Sequence, residues 1–385
     1  MFKRKILINL LYIFIDSVCL FVTNKKTTKT DKKIILVKLD SIGDFIIWVN
    51  YAINIKLEYQ DHKIILCVNS LLREFATKIN IFDQVISIDI KKFRRNPLYR
   101  IGKLIDINKI NAETIAQPTY SRVFLEGDSI IRASKAKKKI GFIGDFSRQI
   151  LLENKISNFW YTDLLEIKKD TINEIERHKE FEKILLKNVN ISKQSILPVL
   201  DTIEVEFDNK FKYIVIFPGA AWSGRIWPSE NYISLINWII DNYNFNIVIC
   251  GSINESLICE NIVKNINNYE RLLDLTNKTS ISQLVEIIRG STCVIGNETS
   301  AIHIAATVGV NSICILGGGH YGRFLPYPES SNSIKNPVPV FVELDCFGCN
   351  WNCSRIHDPM EPMPCISMIS IVNVKNEFIK MFGIS

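Results

Sequence analysis

Twice along this chain, short runs of Ile, Val and Leu alternate with longer stretches whose apolar residues recur every three or four positions. The first series runs KIILVKL, DSIGD, FIIWVNYAINIKL and KIILCVN, then continues through QVISID and the region around INAETIAQP. An apolar run of four to eight residues bounded by polar turns reads as a strand buried on both faces, and the longer spacing reads as helix. Strands alternating with helices build a parallel sheet covered by helices. A second series begins at Tyr213, with YIVIF, NIVIC, RLLDL, TCVI and SICIL as strands. Its helices are SENYISLINWIIDNY, NESLICENIVKNI, SISQLVEIIRG and SAIHIAATV, and Ser280 is placed to cap the third. At 385 residues the chain exceeds one ordinary core. The expectation is an α/β protein of two Rossmann-like domains, residues 32–205 and 206–368, whose parallel sheets face a central cleft, with a C-terminal helix over 369–385. Residues 150–200 read as mostly helical, NEIERHKEFEKILLKN being the clearest run, and no internal repeat is evident.

Residues 1–31 have a different character. MFKRK is basic, and ILINLLYIFIDSVCLFV is apolar for nearly the length of a membrane span, broken by Asn9 and Asp16. A central Asp costs about 2.5–3.5 kcal/mol on the insertion scale, and no small-residue cleavage site follows. The segment reads as an interfacial helix on the cytoplasmic leaflet, held by its apolar face and its Lys/Arg flanks. A spanning anchor is the alternative that length and flanks permit. With 47% hydrophobic and 23% charged residues the chain is not disordered, and its net charge of +7 suits anionic lipid, a phosphorylated substrate or mere solubility. No nucleic-acid partner is expected. The basic stretches KKFRR (91–95) and KAKKK (135–139) read as solvated faces that, if functional, would meet acceptor phosphates or anionic headgroups.

Eight of the ten cysteines fall into two groups. Cys67, Cys250, Cys293 and Cys314 lie in strand-like runs, where a thiol acts as a small hydrophobe, which suggests a reducing compartment. Cys346, Cys349, Cys353 and Cys365, in CFGCNWNC and PCIS, stand close enough for a tetrahedral zinc site, although the paired CxxC…CxxC form is absent. Free thiols or a disulfide are the other readings.

The polar turns carry the chemistry. GNETSAIHIAATVG (296–309) packs Glu298, Thr299, Ser300 and His303 onto a strand-to-helix turn, where unpaired N–H groups and the helix dipole favour an anion such as phosphate. Thr299 or Ser300 is the natural N-cap, and His303 shares the face of Thr299. In FPGAAWSGRIWPSE, small residues including Gly219 leave room for a ligand and Arg225 offers donors that fit a phosphate, with Trp227 and Pro228 opening the helix. ICGSINES adds Gly251 and Glu255, an acceptor for sugar or ribose hydroxyls. In KLDSIGDF, Gly43 permits a tight bend, while Asp44 is either a helix cap or a base, with Asp40 as its rival. LGGGHYGR satisfies G-x-G-x-x-G, but the two prolines of RFLPYP forbid the helix that would hold a pyrophosphate, so its glycines are read as bordering the same cleft.

In this order, ILVKLDSIGDFII, IVIFPGAAWSGRIWP, ICGSINES, DLTNKTSISQLVEIIRGSTCVIGNETSAIHIAATVGV and the loop into GRFLPY resemble the successive signature segments of glycosyltransferase family 9, the lipopolysaccharide heptosyltransferases. The resemblance implies a GT-B fold and an inverting transfer of a sugar, typically heptose from an ADP-sugar, to a lipopolysaccharide-core or other lipid-linked acceptor. That reaction would take place at the cytoplasmic face of the inner membrane, with no cofactor required. By position Asp44 matches the family's general base, Arg225 a basic residue beside the donor phosphates, and Glu298, Thr299 and His303 the acidic, hydroxyl and histidine positions of the donor turn. Glu255 matches an acidic residue near the nucleoside. Ser300 stands where glycine is common, Asn173 where histidine is frequent, and Lys38 where arginine is usual. A nucleotide-sugar epimerase of the same architecture and a non-catalytic membrane-surface binding protein are the rival readings.

Overall fold

The computed structural model describes residues 9, 11–17, 31–168, 171–186, 197–201, 203–207, 210–329, 335–355, 358 and 361–383. The remainder of the N-terminal segment, residues 1–8, 10 and 18–30, lies outside them. The chain divides into two compact units, the first comprising Met1–Thr171 and Arg177–Ile191, the second Ile172–Glu176 and Ser192–Ser385.

In the first unit β1 (Asp31–Lys38), α1 (Ile42–Glu58), β2 (Lys63–Asn69), α2 (Arg73–Lys78), β3 (Gln84–Ile88), α3 (Ile90–Arg95), α4 (Pro97–Asn108) and β4 (Ala112–Gln117) follow in order. Then come α5 (Gly127–Ala133), β5 (Lys138–Phe142), α6 (Leu151–Asn158), β6 (Asp163–Leu165) and α7 (Glu174–Leu185), whose first residues belong to the second unit. The six strands lie in the order β3-β2-β1-β4-β5-β6, all parallel. Ile34 pairs with Ile64 and Leu36 with Leu66, and four of these side chains are essentially inaccessible, as a sheet covered on both faces requires.

The second unit repeats the plan with β7 (Lys212–Phe217), α8 (Ser229–Asn242), β8 (Phe245–Ile249), α9 (Ser256–Lys264), β9 (Leu272–Asp274) and α10 (Ile281–Gly290). These are followed by β10 (Cys293–Asn297), α11 (Ser300–Val308), β11 (Asn311–Ile315), β12 (Val338–Val340), α12 (Pro364–Ser367) and α13 (Ile371–Phe382). Its order, β12-β11-β10-β7-β8-β9, is the same arrangement numbered from β7. Ser280 caps α10 by a reciprocal bond with Gln283, as its sequence indicates. Helix α13 packs on this unit, with the Phe378 ring 5.8 Å from Trp238 and 5.0 Å from Tyr243.

Some elements depart from the sequence reading. Strand β5 starts inside KAKKK: Lys138 is exposed, while burial pushes the Lys139 ammonium down to about 8, helped by Arg132. The span read as mostly helical also holds β6. Pro228 is the N-cap of α8 and not its first residue. Among the described residues no helix is long and apolar enough to cross a membrane.

Candidate functional site

Neighbours β7 and β10 form the point in the second sheet where the strand order reverses, and open α/β sheets hold ligands beyond the carboxyl ends of strands at such points. Gly296 stands opposite Phe217, and a Cβ there would lie 2.4 Å from the Phe217 carbonyl oxygen, so only glycine lets the strands come this close. The next residue, Asn297, is buried; its amide donates to the carbonyls of Pro218 (2.6 Å) and Gly219 (3.2 Å) and accepts from the Trp227 N–H (3.1 Å). One side chain thus fixes both ends of the turn after β7. Sequence reasoning passed over Asn297, though a polar residue ending an apolar strand was its available signal.

That turn presents Arg225. Its Nη2 donates to the Glu298 carbonyl (2.6 Å) and carboxylate (3.1 Å), and its guanidinium lies 5.2 Å from the Trp351 ring centre. Thr299 takes the N-cap position of α11 with extended backbone, yet its hydroxyl makes no cap bond, and Oγ1 is buried without a hydrogen-bond partner. Ser300 begins the helix, half-buried. His303, one turn on, is buried with Nδ1 2.8 Å from the Tyr327 hydroxyl and its ring parallel to that tyrosine. Burial pushes its pKa down to about 3, the charge of Arg225 adding to the effect, so the ring is neutral and reaches no anion as a cation. Glu255 accepts from the Ser252 N–H (2.6 Å) and hydroxyl, and a Cβ on Gly219 would stand 2.1 Å from its Cγ. The turns bearing Gly219, Arg225, Glu255, Glu298, Thr299, Ser300 and His303 therefore meet at one sheet edge.

The first unit has its own reversal point between β1 and β4. Asp40 pairs with buried Lys38 (2.9 Å), accepts from the Thr119 hydroxyl (2.7 Å) and lies 3.8 Å from Arg148. Burial acts to raise its pKa, but these partners outweigh it and hold the carboxyl below its ordinary value. A carboxylate so committed is a poor proton acceptor. Asp44 stands half-buried in the first turn of α1, where Ser41 is the N-cap and its hydroxyl donates a hydrogen bond to the Asp44 carboxylate. Asp44 is therefore not the cap.

Residues 324–329, which follow LGGGHYGR, hold no helix, and a single 3₁₀ turn spans Gly318–His320. Added Cβ atoms on Gly318 and Gly319 would meet Phe347 and Trp351, so these glycines admit aromatic rings from the cysteine-bearing loop. Asn173 donates to the Gly322 carbonyl (3.1 Å) and Glu174 pairs with Arg323 (3.0 Å), tying residues 172–176 to this loop. Cys346, Cys349, Cys353 and Cys365 line one cavity of about 10 Å³, and none is in a disulfide. Burial pushes the Cys365 thiol up, with the other three adding to it. Among the described residues no group of three or more His, Cys, Asp and Glu is arranged to hold a metal ion.

Two parallel six-stranded units, with a cationic turn beside an uncapped helix start, define a protein of the GT-B glycosyltransferase class. The chain belongs to glycosyltransferase family 9 (heptosyltransferase), whose model matches residues 127–346, more than half of it. It superposes on E. coli ADP-heptose lps heptosyltransferase II with a TM-score of 0.67 at 14% identity, covering 91% of this chain and 98% of that one. E. coli heptosyltransferase WaaC with ADP-2-deoxy-2-fluoro heptose gives 0.65 at 16%, covering 91% and 99%. The dodecameric iron-containing heptosyltransferase TibC with ADP-D-beta-D-heptose gives 0.52 at 12%, covering 93% and 78%. No curated protein matches the chain by sequence.

Proposed function

We propose that this family 9 glycosyltransferase is an inverting enzyme that moves heptose from an ADP-linked donor to a lipopolysaccharide-core or other lipid-linked saccharide at the cytoplasmic face of the inner membrane. One observation carries the donor side: the buried, partnerless Thr299 Oγ1 at the start of α11, beside the Arg225–Glu298 pair. Leaving such a hydroxyl unpaired costs about 1–3 kcal/mol, and a diphosphate oxygen would supply the missing partner. The ADP-sugar in the WaaC structure supports ADP as the carrier.

In the proposed reaction the acceptor hydroxyl attacks the anomeric carbon from the face opposite the diphosphate, and Asp44 takes its proton. The bond from that carbon to the phosphate oxygen breaks, and its electron pair leaves with ADP. Arg225 and the first N–H groups of α11 stabilise the departing charge, with Ser300 beside them. Gly219 gives the donor close backbone approach, Glu255 accepts from a ribose or sugar hydroxyl, and His303 holds the turn through Tyr327. No cofactor enters this scheme. Titration calorimetry of the purified chain against a panel of nucleotide sugars tests it: ADP-heptose should bind and ADP compete. Failure of every nucleotide sugar to bind would overturn the reading.

The four thiols around one cavity also support a proposed structural ion, zinc by the preference of thiolates, or iron as in the iron-containing TibC. The thiols would turn inward to close on it. Metal analysis of the purified chain should find about one ion, lost in Cys349→Ser; metal-free protein with four titratable thiols at these positions would refute it.

A further inference from the structure

Residues 11–17 form a helical segment packed on the first unit with its polar side inward. The Asp16 carboxylate takes two bonds from Arg100, from Nε and Nη2, each 2.7 Å. Arg100 is fully buried between the rings of Tyr12 and Phe93 and also donates to the Leu125 carbonyl and the Ser129 hydroxyl. The Tyr12 hydroxyl donates to the Arg94 carbonyl (2.8 Å), Arg132 to the Ser17 hydroxyl (2.6 Å), and Asn9 to Glu153 (2.5 Å). A buried ion pair adds little net stability but fixes orientation, because separating the partners strands a charge. The consequence lies on the other side: Leu11 and Phe14, three residues apart on one face, are 55% and 67% exposed. Leu151 and Leu152, beside the Glu153 that Asn9 contacts, are also exposed.

This is the reverse of a soluble amphipathic helix, which turns its apolar stripe to the core. We infer that the outward face of this segment, with Leu151 and Leu152, is the surface by which the first unit docks on an anionic lipid bilayer. Charge argues for lipid: α3, whose Arg94 carbonyl holds Tyr12, exposes Lys91, Lys92, Arg94 and Arg95 around buried Phe93. Anionic headgroups attract such a border of basic side chains. A second copy meeting this face about a two-fold axis would set the basic border against itself. The inference deepens the membrane part of the proposed function. Its test uses neither donor nor acceptor, so it stands or falls separately from sugar transfer.

The test is co-sedimentation of the full chain with vesicles of phosphatidylglycerol mixed with phosphatidylcholine, and with vesicles of phosphatidylcholine alone. The chain should favour the anionic vesicles, and Leu11→Ser/Phe14→Ser should weaken partitioning at least about tenfold with an unchanged melting temperature, since both side chains point outward. Lys91→Gln/Arg95→Gln should weaken it several-fold on anionic vesicles only. Equal binding of the Leu11/Phe14 variant and the parent, or no binding by the parent, would overturn the inference. So would a parent dimer that this variant converts to monomer, which would assign the face to a second copy.

Discussion

At the opening between β1 and β4, Asp40 is held by Lys38, Thr119 and Arg148, while Asp44 stands one helical turn further on. At the matching opening between β7 and β10, Arg225 is held by Glu298, and Thr299 stands beside it with no partner for its hydroxyl. Both units share one strand order, and each uses one ion pair to fix its turn. They differ in what lies next to that pair: a half-buried carboxylate in the first, a hydroxyl at a bare helix start in the second. A carboxylate accepts protons, whereas a helix start with an arginine accepts anions. One fold thus presents opposite chemistry at equivalent places, which suits the proposed reaction between a nucleophile and a departing diphosphate.

The largest effect expected from this contrast is on Asp44→Asn. Transfer should fall by about 10²–10⁴, the range for losing a general base, with ADP affinity unchanged in calorimetry. Asp40→Asn should act on folding, because Lys38 is only 3% exposed and would be left without its main counter-charge. Breaking a buried pair costs about 3–5 kcal/mol, read as a lower denaturant midpoint. If Asp40→Asn were stable and inactive while Asp44→Asn remained active, the two acids would exchange roles.

In the second unit Arg225→Ala should weaken ADP binding by about 10–100-fold, the loss of one charged hydrogen-bonding group, and should lower the melting temperature because buried Glu298 loses its cation. Adding Glu298→Gln should recover stability and leave binding weak. Thr299→Val should separate the same two properties with opposite signs. The fold loses an unpaired buried hydroxyl and should become slightly more stable, while donor affinity should fall about tenfold. Unchanged affinity would show that the hydroxyl faces no ligand.

Much of this frame was legible because parallel strands buried on both faces are continuous apolar runs, and KIILVKL, YIVIF and SICIL are of that kind. The glycine and acid turns sit at strand ends for the same reason. Strand β5 was hidden because its first two residues are Lys138 and Lys139, whose stems border the sheet while their charges suggest a solvated run. The doubled plan was legible as well, because each series alternates apolar strand-like runs with helix-spaced stretches. Asn297 shows its role only through three bonds to residues 70, 78 and 79 positions away. Asp16 reads as a flaw in an apolar segment until Arg100 is placed opposite it.

The smallest effect expected at neutral pH concerns the two buried histidines among the described residues, one in each unit. Burial drives His303 down to about 3 and His178 well below the ordinary value of 6.5, so both are neutral in the folded chain. Unfolding frees each ring to take up a proton below 6.5, so the unfolded state then binds more protons than the folded one. Stability should therefore be unaffected by these groups above that pH and fall as pH drops toward 3, each contributing a slope approaching about 1.4 kcal/mol per pH unit. His303→Gln should remove one such slope from the denaturant midpoints and leave that of His178. Because a neutral His303 brings no positive charge to the diphosphate, the kcat/KM profile of the parent should show no inflection from it near its ordinary value. An inflection there that vanishes in His303→Gln would mean the ring is charged when the donor binds, and the anion site would then rest on His303 as well as on Arg225 and the start of α11.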